Sequence, residues 1–196
     1  MTAAWIFDFD GVLVSTMEGH FLCYSQALAE NGIPVDRDQF YSQAGMTGRE
    51  QIAYFARKAG VQVDPDAVYR RKKEIFDERK PEARLIPSMA ELFRTLRGAG
   101  ARLAIATGSS RQSVLPVIAK LGLEPDALAA AEDVTRGKPN PDLFLLAASK
   151  LGAAPAECIV VEDSDVGIEA ARRAGMRSLR FTDLPVQSPA NPTLDH

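Results

Sequence analysis

Four short, mostly apolar runs constrain the fold of this chain more than any other feature of its sequence. They end at polar residues and lie at residues 3–7, 102–106, 158–161 and 177–181. Uninterrupted apolar runs of this length are typical of strands that are buried on both faces of a parallel sheet. Residues 127–131 are a weaker candidate for a fifth strand.

Helical patterns separate the later runs from one another. Residues 88–97 carry apolar side chains at helical spacing, and capping residues mark further helices at 111–121, 141–151 and 166–174. This alternation predicts an α/β fold with a doubly wound, Rossmann-like parallel sheet and right-handed crossovers.

A different pattern fills the stretch between the first strand and Pro87. Residues 18–80 show helical periodicity with no convincing strand, and they predict helices at about 17–31, 36–44, 48–59 and 65–79. We therefore expect a core domain of residues 1–14 and 82–196 and an all-helical domain of residues 15–81. Residues 183–196 hold three prolines and few apolar side chains, which predicts a loose tail.

The bulk properties exclude several classes of protein. A net charge of −3 argues against a nucleic-acid binder, which needs a surplus of Lys and Arg on one face. No apolar run approaches the roughly 20 residues that cross a bilayer, and no basic leader precedes the first strand. Cys23 and Cys158 lack the spacing of a zinc site or a disulfide framework. We expect a soluble, cytoplasmic monomer that binds a small molecule rather than nucleic acid or a membrane.

Polar residues follow the predicted strands at the edge where parallel sheets bind ligands. These residues are Asp8 and Asp10 after the first strand, Thr107, Gly108 and Ser109 after the second, Glu162 and Asp163 after residues 158–161, and Lys138 before a helix. Carboxylates, hydroxyls and a lysine at one rim suit phosphoryl transfer, which mainly needs negative charge to be held in place.

The chemistry of each side chain suggests its part in such a reaction. Asp8 can attack phosphorus as a nucleophile when Mg²⁺ offsets the repulsion between anions, and Asp163 is a suitable second ligand. Asp10 can pass a proton to the leaving oxygen. Thr107 and the amides of Gly108 and Ser109 can bind phosphate oxygens before a helix, and Lys138 supplies a compact positive charge.

The same residues resemble the four motifs of the haloacid dehalogenase superfamily of phosphatases and phosphomutases, in the subfamily with a small helical cap. The matching segments are residues 8–13, 107–109, 137–142 and 161–171, and the resemblance spans about residues 3–181. It implies that Asp8 forms an aspartyl phosphate and that Asp10 is the acid and base. It also implies that Asp8, the Asp10 carbonyl, Glu162 and Asp163 surround Mg²⁺, while Thr107 and Lys138 bind the phosphoryl group.

The insertion is similar to the caps of β-phosphoglucomutase and related sugar-phosphate phosphatases. The resemblance places Thr16, His20, Gly45, Arg49 and Lys72 toward the substrate, whereas Gly108 in the second motif is closer to the phosphatases. One departure is Ser15, which stands where the family usually has Asp, at the junction of core and cap.

Simpler structural interpretations of these residues exist. Asp163 and Asp165 precede a predicted helix and could serve as N-caps. His20 could be a half-buried helix histidine, and the basic run at residues 70–73, which includes Lys72, is typical of a solvated helix face.

The sequence leaves three functions open. The leading prediction is a Mg²⁺-dependent phosphatase acting on a small phosphorylated metabolite such as a sugar phosphate. The alternative is a phosphomutase of the β-phosphoglucomutase type, which returns the phosphoryl group to a second hydroxyl. A binding domain that has kept the fold but lost the chemistry is a third hypothesis.

Overall fold

A five-stranded parallel sheet lies at the centre of the computed structural model, which describes residues 4–43, 46–79 and 83–182. Its strands are β1 (Ala4–Phe7), β4 (Arg102–Ala106), β5 (Ala127–Ala129), β6 (Cys158–Glu162) and β7 (Arg177–Arg180). Their order is β5-β4-β1-β6-β7, and every neighbouring pair is parallel. The predicted α/β fold and its five strands are confirmed, with ends within two residues of the predicted ones.

Four helices cover the two faces of this sheet. They are α5 (Pro87–Gly98), α6 (Arg111–Lys120), α7 (Asp142–Lys150) and α8 (Asp165–Arg173), with short 3₁₀ helices at Ala131–Asp133 and Pro155–Glu157. Ala4 and Ile6 of β1 pack in one hydrophobic cluster with α7 and α8, while Phe7 packs in another with α5 and α6. Because alternate side chains of a strand point to opposite faces, this arrangement explains why β1 is apolar throughout.

The remaining helices form a separate layer, which we call the helical insertion: α1 (Met17–Ala29), α2 (Arg37–Ser42), α3 (Gly48–Ala59) and α4 (Pro65–Arg79). It has its own hydrophobic cluster, in which Leu28, Phe40, Phe55 and Ile75 are buried. Residue 44, the last of the predicted second helix, lies outside the described residues. None of the described helices is both long and apolar enough to span a membrane.

A pair of two-residue strands joins the two ends of the insertion. β2 (Val14–Ser15) pairs antiparallel with β3 (Arg84–Leu85). The sequence did not predict this pair, because two residues are too few to show an alternating pattern. The division into domains at residues 14/15 and 81/82 stays a prediction, and the proposed tail lies outside the described residues.

Candidate active site

The carboxyl ends of β1, β4 and β6 bring the predicted polar residues to one edge of the sheet. The backbone N–H of Asp8 donates to the Val161 carbonyl at 2.9 Å, and that of Thr107 donates to the Ala129 carbonyl at 2.9 Å. Sheet hydrogen bonding therefore continues for one residue beyond the strands. It fixes the backbone from which both side chains project.

Lys138 is the cation at the centre of this edge. Its side chain is fully buried, and Nζ lies 2.5 Å from Asp8 Oδ1 and 2.6 Å from Glu162 Oε1. The ammonium also lies 4.8 Å from the centre of the Phe144 ring. Burial alone would lower the pKa of Lys138, but the charges of Asp8 and Glu162 outweigh it and raise that pKa. The lysine therefore stays protonated.

Three carboxylates share this single cation. Oxygen atoms of Asp8, Glu162 and Asp163 lie within 4.8 Å of one another. Burial raises the pKa of Asp8 well above its usual value; Lys138 opposes that shift, while Glu162 and Asp163 add to it. Burial, followed by the charge of Glu162, raises the pKa of Asp163 to about 7. The cluster therefore holds more carboxylate than one lysine can neutralise.

Glu162 is the most tightly held of the three carboxylates. Oε1 accepts from Lys138, while Oε2 accepts from the backbone N–H of Ser164 at 2.8 Å and from its hydroxyl at 2.9 Å. Ser164 also caps α8, because its hydroxyl accepts from Gly167 N–H. The interpretation of Asp163 and Asp165 as N-caps is therefore wrong, since the residue between them has that role.

Asp10 has surroundings of another kind. Its carboxylate accepts hydrogen bonds from the hydroxyls of Thr16 and Ser109, the latter at 2.6 Å, and lies 3.3 Å from His20 Nε2. Burial pulls the pKa of Asp10 upward, but His20 and the two hydroxyl donors outweigh burial and hold the pKa well below its usual value. Asp10 is therefore kept in its basic form.

Hydroxyl and amide groups line the end of β4. The Ser109 N–H donates to Thr107 Oγ1 at 3.0 Å, and the Thr107 hydroxyl lies 3.5 Å from Asp10 Oδ2. Ser110 caps α6, accepting from Ser113 N–H. Gly108 and Ser109 thus lie in the turn that leads into the positive end of a helix dipole, where anions bind favourably.

His20 and Lys72 reach this edge from the helical insertion. Lys72 Nζ lies 2.9 Å from His20 Nδ1, and 4.7 and 4.9 Å from the ring centres of Tyr24 and Phe76. An ammonium group can only donate, so Nδ1 accepts and the ring proton is on Nε2, toward Asp10. Lys72 is 6% exposed, which makes the solvated-face interpretation wrong for this residue. His20 is half-buried in a helix, as one interpretation predicted, and it also lies at the edge of the site.

A pocket lies between the sheet edge and the helical insertion. Asp8, Asp10 and Thr107 line it on one side, and Tyr24, Gln51 and Lys72 on the other. The centres of water molecules can occupy about 50 Å³ of it, which is room for about four waters. A substrate larger than this volume would need the insertion to move outward.

The other residues that the sequence placed toward a substrate lie apart from this pocket or outside the described residues. Arg49 pairs with Asp66, its guanidinium lies 5.6 Å from the ring centre of Tyr69, and it is not among the residues that line the pocket. Ser15 is exposed at the end of β2, one residue before Thr16. Gly45 belongs to the part of the chain that the structure does not describe.

A contact that the sequence analysis missed joins the insertion to the sheet edge. Thr47 and Glu50 form a capping box at the start of α3, and Glu50 Oε1 also accepts from the backbone N–H of Gly137 at 3.0 Å. A Cβ on Gly137 would lie 2.4 Å from Glu50 Oε2 and 2.9 Å from the Thr47 backbone nitrogen. The capping box can be recognised in the sequence. The contact between Glu50 and Gly137, next to Lys138, cannot.

The chain is similar to a known protein family and to known phosphatases and phosphomutases. A family model described as haloacid dehalogenase-like hydrolase matches residues 5–181. Fructose-1-phosphate phosphatase YqaB of Escherichia coli is 32% identical over 89% of this chain and 93% of its own length. β-Phosphoglucomutase of Bacillus subtilis is 30% identical over 88% of this chain and 80% of its own length. A crystal structure of a hydrolase from Pseudomonas syringae superimposes with a TM-score of 0.84 at 26% identity, covering 91% of this chain and 84% of that one.

The contact at Gly137 predicts an effect of a single methyl group. In Gly137→Ala the new Cβ has no room against the Thr47 backbone, so the start of α3 must move away from Lys138. Misplacement of about 1 Å near a reaction centre can cost up to about a hundredfold in rate, and we expect kcat/KM for a phosphate ester to fall about 10- to 100-fold. Gly98→Ala is the matched control, because nothing lies within 4 Å of its Cβ. Equal kcat/KM for the two variants would show that the close packing of Gly137 against the start of α3 does not position the site.

Burial of Lys72 predicts an alkaline change in stability. Burial lowers the pKa of Lys72 from 10.5 to about 8, against the opposing charge of Asp10. Between these pH values the unfolded chain holds a proton that the folded chain has lost, so the free energy of unfolding rises with pH. We expect wild type to gain on the order of 3 kcal/mol relative to Lys72→Met from pH 8 to 10.5, as urea unfolding at each pH would measure. The groups that face Lys72 and enter this balance are His20, Tyr24, Asp10, Cys23, Lys73 and Asp77.

Lys73→Met removes one positive charge from the same helix and serves as the control for charge alone. Parallel stability curves for wild type and Lys72→Met would show that Lys72 keeps its proton when folded, and would refute this prediction.

Proposed function

Since the chain belongs to the haloacid dehalogenase-like hydrolase family, we propose that it is a Mg²⁺-dependent phosphatase that hydrolyses a small sugar phosphate through a phosphorylated Asp8. One observation carries this proposal. Asp8 stands at the end of a buried strand with Lys138 on one oxygen, the carboxylates of Glu162 and Asp163 beside it, and the Thr107–Ser109 turn at the adjacent strand end. That is the set of groups that phosphoryl transfer needs.

In the first step a carboxylate oxygen of Asp8 attacks phosphorus and the ester P–O bond breaks. The electron pair of that bond goes to the alcohol oxygen, which takes a proton from protonated Asp10 and leaves. In the second step water attacks the phosphorus, gives its proton to Asp10, and the bond between phosphorus and Asp8 breaks. Inorganic phosphate leaves, and the Asp8 carboxylate is restored.

The surroundings of Asp10 support its part in the second step. Thr16, Ser109 and His20 hold its carboxylate in the basic form, which is the form that accepts a proton from water. It lies two residues beyond Asp8 and lines the same pocket. One side chain can serve both steps, because the alcohol leaves and the water attacks on the side of phosphorus opposite Asp8. The proton that it takes from water is the one that the next alcohol needs.

The residues around the phosphoryl group divide its charge among several donors. Lys138 holds its ammonium group beside Asp8, where it can offset the negative charge of the phosphoryl oxygens. The Thr107 hydroxyl and the Gly108 amide are further donors before the start of α6, and the Ser109 amide, which donates to Thr107 Oγ1, would have to change partner to join them. Donors that are already oriented cost little reorganisation when charge develops in the transition state.

The carboxylate cluster fits a hard divalent cation. Mg²⁺ prefers oxygen ligands, of which carboxylates usually supply one or two. Burial and the neighbouring carboxylates raise the pKa values of Asp8 and Asp163, and a bound cation would oppose both causes. We propose Asp8, Asp163 and the Asp10 carbonyl as its ligands, with Glu162 at the side of the cluster, since both Glu162 oxygens already accept hydrogen bonds. When bound, Mg²⁺ neutralises charge on the phosphate and on Asp8.

The helical insertion is the part of the molecule that can recognise the alcohol. We propose that Thr16, His20 and Lys72 border the leaving group, and that Gly45 and Arg49 act only at the rim. We propose a monomer as the active unit. The relative YqaB, named for fructose 1-phosphate, supports a sugar phosphate as the substrate.

A phosphomutase is the second candidate, because β-phosphoglucomutase is a relative of similar identity. A mutase must hold a substrate with a second phosphate group, and arginine is the usual partner for such a group. Among the described residues that line the pocket there is no arginine, and the cation on the insertion side is Lys72, which lies against His20. This observation favours the phosphatase.

Two changes should abolish turnover if the mechanism is right. Asp8→Asn removes the nucleophile, and EDTA removes the cation, so release of inorganic phosphate from a panel of sugar and nucleotide phosphates should stop in each case. Readdition of Mg²⁺ should restore activity only in the EDTA-treated wild type. Activity that survives either treatment would sink the mechanism.

The lifetime of the phosphorylated enzyme separates the two candidate functions. For a phosphatase we expect aspartyl phosphate, trapped by acid quench and mass spectrometry, to decay in water without any added acceptor. A phosphoenzyme that persists in water, and needs a sugar bisphosphate as primer, would replace the phosphatase with the mutase.

A further inference from the structure

Two polar side chains of the helical insertion line the pocket without a hydrogen-bond partner among the residues that the structure describes. Gln51 on α3 and Tyr24 on α1 are each 5% exposed. Within the described part of the chain, neither the Gln51 amide nor the Tyr24 hydroxyl makes a hydrogen bond to another residue. A buried polar group without a partner is costly, so native proteins rarely leave one unexplained.

The pocket is the place where the missing partners can be. Among the described residues, Arg97 Nε is the one fully enclosed side-chain nitrogen or oxygen that has no partner. The Gln51 and Tyr24 polar atoms are therefore not sealed inside the protein. Because both residues are otherwise buried and line the pocket, their polar atoms have access to its interior.

Gln51 and Tyr24 also form one wall of that pocket. Gly48 and Gln51 are three residues apart on α3, so they lie on the same face of the helix. The Tyr24 hydroxyl lies 2.5 Å from the position that a Cβ on Gly48 would take. The phenol thus packs on the helix face that carries the Gln51 amide, and only a glycine at position 48 allows this approach.

We propose that Gln51, assisted by the Tyr24 hydroxyl, is a specificity-determining residue that binds hydroxyl groups on the alcohol part of the substrate. This inference rests on the proposed function and narrows its substrate class to monophosphate esters of uncharged, hydroxyl-rich alcohols. Neither residue touches the transferring phosphoryl group, and no bond is made or broken at this wall.

The chemistry of the wall selects hydroxyls over other groups. A carboxamide offers both donors and an acceptor, and a phenol offers one of each, which matches an alcohol O–H. An alkyl or aromatic ester would leave these groups unpaired, and a site built for hydrogen bonding discriminates strongly against such analogues. A second phosphate or carboxylate would find Lys72 as its main cation, but that ammonium already lies against His20 and two aromatic rings.

The test compares esters that differ only in hydroxyl groups. Glycerol 3-phosphate is paired with propyl phosphate, and glucitol 6-phosphate with hexyl phosphate, so that two chain lengths are covered. For at least one pair, wild type should show kcat/KM at least about tenfold higher for the hydroxylated ester. Gln51→Leu should lower that ratio about tenfold, through the hydroxylated ester alone, and Tyr24→Phe should lower it by a smaller factor.

Gln62→Leu is the matched control, because Gln62 is exposed in the insertion. Circular dichroism and thermal unfolding of each variant establish that it is folded. An equal loss on both members of a pair in folded Gln51→Leu would mean that the residue only supports the helix, and would overturn the proposal. A wild type with no preference for hydroxylated esters, or a ratio unchanged in Gln51→Leu, would overturn it as well.

Binding measurements keep this inference separate from the proposed function. Glucitol 6-phosphate and glycerol 3-phosphate are titrated calorimetrically into Asp8→Asn, with and without Gln51→Leu. If wild type hydrolyses no ester but binding weakens about tenfold in the double variant, the phosphatase fails while the hydroxyl-binding wall stands. If wild type hydrolyses these esters and Gln51→Leu changes neither binding nor turnover, the phosphatase stands and the hydroxyl-binding wall is overturned.

Discussion

A single buried ammonium between carboxylates is the interaction on which this site depends. Lys138 lies within 2.6 Å of oxygens of both Asp8 and Glu162, with none of its side chain exposed. Taking three such groups out of water costs several kcal/mol per ion, and an apolar cluster of equal volume would often be at least as stable. Under the proposed function the arrangement has a chemical reason, because it holds Asp8 beside a fixed cation in a place from which water is largely excluded.

Three glycines leave room for carboxylate groups at or near this edge of the sheet. A Cβ on Gly167 would lie 1.9 Å from Glu162 Oε1, one on Gly11 would lie 2.3 Å from Asp163 Oδ2, and one on Gly137 would lie 2.4 Å from Glu50 Oε2. Gly11 has φ of 93° as well, a conformation that other residues rarely adopt. A side chain at any of these three positions would collide with a carboxylate group. The site is thus shaped by absent side chains as much as by those that carry charge.

The sequence predicted the parts of this structure that follow from local periodicity and from strand ends. Asp8, Thr107 and Glu162 could be expected to meet because the carboxyl ends of parallel strands share one edge. How the insertion faces that edge could not be predicted, since helical periodicity says which face of α3 is buried but not what covers it. For that reason Glu50 and Gln51 were missed, and the burial of Lys72 within a basic run was not foreseen. The β2–β3 pair was missed because it is too short to leave a pattern.

Asp8 and Asp10 show how one short segment can supply two different acids. They are two residues apart, yet Asp8 faces the crowded carboxylates of the sheet edge, while Asp10 accepts from Thr16 and lies beside His20, both from the insertion or its junction. Their pKa values are displaced in opposite directions because their surroundings differ. Such a difference can give neighbouring carboxyl groups different roles. Because Thr16 and His20 come from the insertion or its junction, while Ser109 belongs to the sheet edge, movement of the insertion would change the basicity of Asp10 and leave the Asp8–Lys138 pair intact. In the proposed mechanism, Asp10 rather than Asp8 is therefore the residue whose protonation would depend on the position of the insertion.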